Sequence, residues 1–297
     1  MEGFFEQGPT HMRLLIVADT DVAGATALAE YFVPQTPVFD AVLVCGPFCQ
    51  GSVNKGQDEM TLQERAVLMG DIGSTLAQFE NIVCRVMYLG ASGDFHLNTG
   101  KAVEEQHHLT PNSVNIHARS LPLTDDLYIA GFAETASNLS SHDLPPDVDR
   151  SAESDDELDG VEIKAGVSSV AVLEELLSNA ASEARTREDG SGDGGDASTG
   201  IIALSYKYAH TLNHFLFHMP EAIEKAGVKV CIIPPAPDST EPARLPKTFG
   251  NMTIAALGSL RAKSQYTVLE LIKPSGDAKG PWTTVRAETC TLGETTI

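Results

Sequence analysis

The sequence has few basic residues for its length. Its 297 residues include 20 Lys and Arg against 41 Asp and Glu, which gives a formal charge of −21 at pH 7. A nucleic-acid backbone and an anionic membrane both attract proteins through a basic surface. The composition therefore argues against nucleic acid and membrane as partners.

The sequence also has no long apolar run and few cysteines. No run approaches the ~18 apolar residues of a membrane-spanning helix, and the acidic first residues lack the apolar core of a secretory signal. There are five cysteines, an odd number that cannot all pair in disulfides within one chain. Cys45 and Cys49 are close in sequence, but there is no second such cysteine pair and no nearby histidine to complete a zinc site. This usage is typical of buried, reduced thiols rather than of disulfides or zinc. We expect a soluble, cytoplasmic protein.

The sequence predicts one domain with a hydrophobic core over residues 12–290. An N-terminal extension (1–11) precedes it and a C-terminal tail (291–297) follows it. Two stretches interrupt it, an acidic insertion at about 141–162 and a glycine-rich linker at about 186–199. Both have too few large apolar residues to pack into a core, so we expect disorder in the first and flexibility in the second.

The acidic insertion contains Ser154, which is followed by acidic residues, as an acid-directed kinase prefers. A phosphate there would add roughly −1.5 to −2 charges to an already anionic segment. We expect that deleting residues 143–159 leaves the melting temperature almost unchanged.

Short apolar runs alternate with helical patterns in the first half of the chain, and strands dominate the last quarter. So many short strands need a second apolar face to cover. We therefore predict two mixed β-sheets packed face to face, with helices on the outer faces. Strands are predicted at Arg13–Ala18, Ala41–Cys45, Ile82–Leu89, Ser113–Ala118, Leu127–Phe132, Ile201–Leu204, Val228–Ile233, Met252–Leu257, Tyr266–Ile272 and Trp282–Cys290. Helices are predicted from Val22 to about Val33, from Leu62 behind a Thr61–Glu64 capping box to about Phe79, at Val170–Ala184 and at Pro220–Ala226.

Asp19 and Asp21 directly follow the first strand. Ligands of open α/β sheets gather at the carboxyl ends of strands, so these carboxylates mark the edge where a site is expected. They have the hard oxygen ligands that a single divalent cation prefers.

With these segments in order, the sequence resembles the calcineurin-like metallophosphoesterase superfamily from about Met12 to about Ile272. The resemblance is carried by the first strand with Asp19, by Leu127–Phe132 with its Ala-Gly-Phe ending, and by Gly258-Ser259-Leu260 after a late strand. It implies a four-layer sandwich of two sheets and outer helices. It also implies that the strand ends converge at one edge.

The family's metal ligands are mostly replaced here. The family pattern implies strand-D-x-H, GD, GNH-D/E, a later histidine and GHxH, and Asp19 keeps the first aspartate while Asp21 stands in place of the histidine. The other ligand positions carry residues that are not ligands of the family: Pro47, Ala91, Ser92, Ser205, Pro235 and Pro237. Proline at position 47 replaces the carboxylate that would bridge two metal ions.

Replacement ligands are an open alternative. Asp94 and His96 follow the third motif, while His210, His214 and His218 have a spacing that suits zinc on a helix. A helix through His218 conflicts with Pro220, because the residue before a proline avoids the helical region. Ser92 or Ser205 with a histidine base lacks any local signature of an activated nucleophile.

The resemblance and the replaced ligands lead to two hypotheses about function. The first is a phosphoesterase-fold protein without catalysis that serves as a binding or scaffold protein for a protein partner, with no cofactor. The second is a metal-dependent phosphoester hydrolase with a rebuilt or single-metal site around Asp19, Asp21, Asp94 and His96, holding Mn, Mg, Zn or Fe. Both predict that Asp19, Pro47, Ala91, Ser205 and Pro235 meet at one sheet edge.

Overall fold

The computed structural model describes residues 10–35, 39–48, 61–91, 109–117, 119–124, 127–133, 198–204, 228–235, 247–249, 252–273 and 282–293. The strands in these ranges are β1 (His11–Ala18), β2 (Ala41–Cys45), β3 (Val86–Leu89), β4 (Ser113–Asn115), β5 (Arg119–Pro122), β6 (Leu127–Phe132), β7 (Ser198–Leu204), β8 (Val230–Ile233), β9 (Lys247–Phe249), β10 (Met252–Ala256), β11 (Gln265–Ile272) and β12 (Thr283–Thr291). The helices are α1 (Val22–Phe32), a 3-10 turn at Val33–Gln35, α2 (Leu62–Glu80) and α3 (Leu260–Lys263).

The strands form two six-stranded sheets. The first sheet has the order β12-β11-β1-β2-β3-β4, and the second has the order β5-β6-β7-β8-β10-β9. In the first sheet β1 to β4 run parallel, while β11 is antiparallel to β1 and β12 is antiparallel to β11. In the second sheet β6, β7, β8 and β10 are parallel between antiparallel edges. The predicted fold of two mixed sheets is confirmed.

β1 is buried on both of its faces, which explains its nearly continuous apolar sequence. Leu14 and Ile16 point into the core between the two sheets, whereas Leu15 and Val17 point toward the helices. The inter-sheet core draws on both sheets, with Leu43, Met87, Ile129, Ile201, Val230, Ile232, Leu269 and Trp282 among its members. Face-to-face packing of the sheets is therefore set by alternate residues of each strand.

Helices α1 and α2 cover the outer face of the first sheet. α1 contributes Leu28 and Phe32, and α2 contributes Ile72, Leu76 and Phe79, all packed in one buried cluster. The capping box predicted at the start of α2 is present, with Thr61 accepting from the Glu64 amide and Glu64 accepting from Thr61. This arrangement satisfies amides that a helix start leaves without partners.

The two sheets are also tied together at the amino ends of their parallel strands. The Arg85 guanidinium, just before β3, donates to the carbonyl oxygens of Leu123 (3.2 Å) and Pro122 at the end of β5. Burial lowers the pKa of Arg85 from its ordinary value. The partly buried guanidinium is thus hydrogen-bonded to two backbone carbonyls of the other sheet's edge.

Several predicted boundaries are wrong by a few residues. β3 begins at Val86 rather than Ile82, because the amides of Ile82 and Val83 fold back onto the carbonyl of Phe79 at the end of α2. β7 begins at Ser198, inside the predicted linker, because its first residue pairs with Leu127 of β6. Likewise His11 belongs to β1 rather than to the extension, and Thr291 to β12 rather than to the tail.

Other predictions fall on residues outside the described ranges. These are the acidic insertion with Ser154, most of the linker, and the helices expected at Val170–Ala184 and Pro220–Ala226. Of the helices that the structure does describe, none has the length and apolar character required to cross a membrane.

Candidate functional site

The parallel strands of the first sheet end side by side. Ala18 pairs with Cys45, and Cys45 pairs with Leu89, so the residues that follow β1, β2 and β3 form one row. The Asp19 amide continues this row by donating to the Cys45 carbonyl at 3.0 Å. Pro47 and Ala91, both buried, come next on the two neighbouring strands.

The second sheet reaches the same edge through β8 and β10. The Leu257 amide, after β10, donates to the Ile233 carbonyl at the end of β8 at 2.8 Å. Pro235 lies two residues beyond that carbonyl, and Ser259 lies two residues beyond Leu257. The structure therefore places Asp19, Pro47, Ala91 and Pro235 at strand ends on one side of the molecule.

Asp19 is the centre of a buried polar cluster. One carboxylate oxygen, Oδ2, accepts a hydrogen bond from Ser259 Oγ at 2.5 Å, and the other, Oδ1, forms an ion pair with Nη2 of Arg261. The Asp19 side chain is 0% exposed and that of Arg261 is 11% exposed. Both oxygens of the carboxylate are thus bound by side chains of the same protein. We call Asp19, Ser259 and Arg261 the Asp19 cluster.

Local sequence explains how the Asp19 cluster is assembled. Ser259 is the N-cap of α3: its Oγ accepts a hydrogen bond from the Ala262 amide at 2.8 Å, and its hydroxyl donates one to Asp19 Oδ2. The Arg261 amide donates to the Asp19 carbonyl at 3.0 Å, which brings the first turn of α3 against the end of β1. Asp19 adopts φ +48°, a left-handed conformation that aspartate tolerates better than most residues.

Asp21 has a different role from Asp19. It is the N-cap of α1, and its Oδ1 accepts from the Gly24 amide at 2.8 Å. A carboxylate at this position satisfies an amide without an intrahelical partner and interacts favourably with the helix dipole. One of the two carboxylates predicted to hold a cation is therefore committed to a helix cap.

His117 is a buried residue between the sheets that the sequence analysis did not identify. It bridges to Gly131 of β6, its amide donates to Asn115 Oδ1 at 2.8 Å, and its Nδ1 accepts from the Ala133 amide at 3.1 Å. Burial lowers the pKa of His117 to about 4, so the imidazole is neutral at physiological pH. A lone histidine after a short strand carries no sequence signal that distinguishes this position from an exposed one.

The described side chains at this edge offer few atoms that could bind a metal ion. The side chains of Pro47, Ala91 and Pro235 have no atom that could coordinate a metal ion. The Asp19 carboxylate is already paired with the guanidinium of Arg261. Within the described ranges, no three His, Cys, Asp or Glu side chains lie close enough together to hold one metal ion. The remaining predicted site residues lie outside the described residues: Ser92, Asp94, His96, Ser205, His210, His214, His218 and Pro237.

Comparison with known proteins bears on the fold. A search of protein families finds no match, and a search of curated proteins also finds none. Among solved structures, TT1561 of Thermus thermophilus is similar with a TM-score of 0.51 and 12% identity, covering 95% of this chain and 100% of that one. A second solved structure has a TM-score of 0.49 and 9% identity, covering 95% and 99%. At these identities the likeness to TT1561 concerns the arrangement of strands and helices.

Proposed function

We propose that this chain is a cytoplasmic protein of the calcineurin-like metallophosphoesterase fold that has lost catalysis and works as a binding or scaffold protein. The observation that carries the proposal is the ion pair between Asp19 and Arg261 at the strand ends. The one family ligand that the sequence keeps has a guanidinium as its counter-ion.

A guanidinium beside Asp19 disfavours a divalent metal ion at the same carboxylate. Two unit charges about 4 Å apart interact by about 4 kcal/mol at an effective dielectric constant of about 20, so a divalent ion at that distance would meet about twice that repulsion. The neighbouring strand ends carry Pro47 and Ala91, whose side chains offer no ligand atoms to offset it. A metal pair would need several deprotonated ligands at this edge to confine two like charges.

Loss of the metal pair removes both parts of the metal-dependent reaction. The ions would neutralise the phosphoryl oxygens and lower the pKa of a bound water to make the nucleophile. Among the described residues, Arg261 and His117 supply neither effect, because Arg261 is paired with a carboxylate and His117 accepts a hydrogen bond from a backbone amide. What such a fold keeps is a stable two-sheet body whose surface can bind a protein partner.

The test is turnover of an activated aryl phosphate and its diester by the purified full-length chain, with Mn²⁺, Mg²⁺, Zn²⁺ or Fe²⁺ added in turn. We expect background rates for the wild type and for Asp19→Ala, and no stoichiometric metal by elemental analysis. Asp71→Ala, which removes an exposed carboxylate of α2, is the matched control. Metal-dependent turnover that is lost in Asp19→Ala and kept in Asp71→Ala would overturn the proposal in favour of a hydrolase.

A further inference from the structure

We draw no further inference here: the strongest candidate, the buried contact between His117 after β4 and Ala133 after β6, rests on the pKa of a single imidazole that burial lowers, and no described residue beside it indicates a ligand or a partner.

Discussion

Arg261 forms an ion pair with Asp19 across 242 residues of sequence, inside the protein rather than on its surface. The pair joins the end of β1 in the first sheet to α3, the short helix that follows β10 of the second sheet. The carboxyl ends of both sheets are therefore held together by a charge pair and by Ser259. This contact has consequences for stability that are separate from the question of catalysis.

The first prediction concerns the loss of the Arg261 charge. Arg261→Gln leaves the Asp19 carboxylate buried without its counter-ion, and breaking a buried ion pair in this way costs about 3–5 kcal/mol. The free energy of unfolding from urea titration is the measurement. Arg13→Gln is the control, because Arg13 forms a more exposed pair with Glu270 at 3.0 Å and should cost about 1 kcal/mol or less.

The double variant Asp19→Asn with Arg261→Gln tests the coupling directly. Asparagine tolerates the left-handed backbone of position 19 and keeps an acceptor for Ser259, while no charge remains to be neutralised. We expect the double variant to be more stable than Arg261→Gln alone. Additive losses from the two changes would contradict a direct interaction between the side chains.

Much of the two-sheet fold could be predicted from local patterns. Ala41–Cys45 and Leu127–Phe132 begin and end where expected, because a buried strand bounded by polar or turn residues has a readable period. The short strands β5 and β9 were missed. Their three or four residues carry no apolar run, and their pairing depends on the longer strands beside them.

The position of the candidate site could be predicted from the sequence, but the partner of its carboxylate could not. Asp19 follows an obvious strand, so its place at the edge could be inferred from topology. Its partner could not, because Arg261 reaches Asp19 through a four-residue helix whose own sequence shows only a Ser cap. An isolated arginine near the end of a chain gives no local sign of the carboxylate that it neutralises.

The second prediction separates a helix cap from a metal ligand at Asp21. Asp21→Ala is expected to lower the free energy of unfolding by about 1 kcal/mol, whereas Asp21→Asn should stay close to the wild type, because asparagine caps equally well. Urea titration with and without added Mn²⁺ is the measurement. A metal-dependent gain in stability that Asp21→Asn abolishes would indicate a ligand instead.

The third prediction is a pH dependence from His117. Burial lowers its folded-state pKa to about 4, below the ordinary value of 6.5, so the unfolded chain binds more protons between these values. Stability is then fully present above about pH 6.5 and is lost as the pH falls toward 4. Between about pH 6 and about pH 5 the wild type should lose about 1 kcal/mol more than His117→Gln, which does not titrate. Parallel slopes in urea titrations of the two proteins would contradict this assignment.

The fourth prediction concerns Gly131, which lies where β6 meets the chain that crosses between the sheets. A Cβ at this position would come within 2.5 Å of Ile116 Cγ1 and within 2.7 Å of the Ile116 carbonyl oxygen. The carbonyl belongs to the backbone and has little freedom to move, so Gly131→Ala should lower the free energy of unfolding by about 1–3 kcal/mol.

Gly70→Ala is the matched control, because a Cβ at this exposed position of α2 meets nothing within 4 Å. Alanine favours the helix there by about 0.8–1.0 kcal/mol. The two substitutions should therefore shift the melting temperature in opposite directions, and a Gly131→Ala protein as stable as the wild type would show that Ile116 and β6 are farther apart in solution.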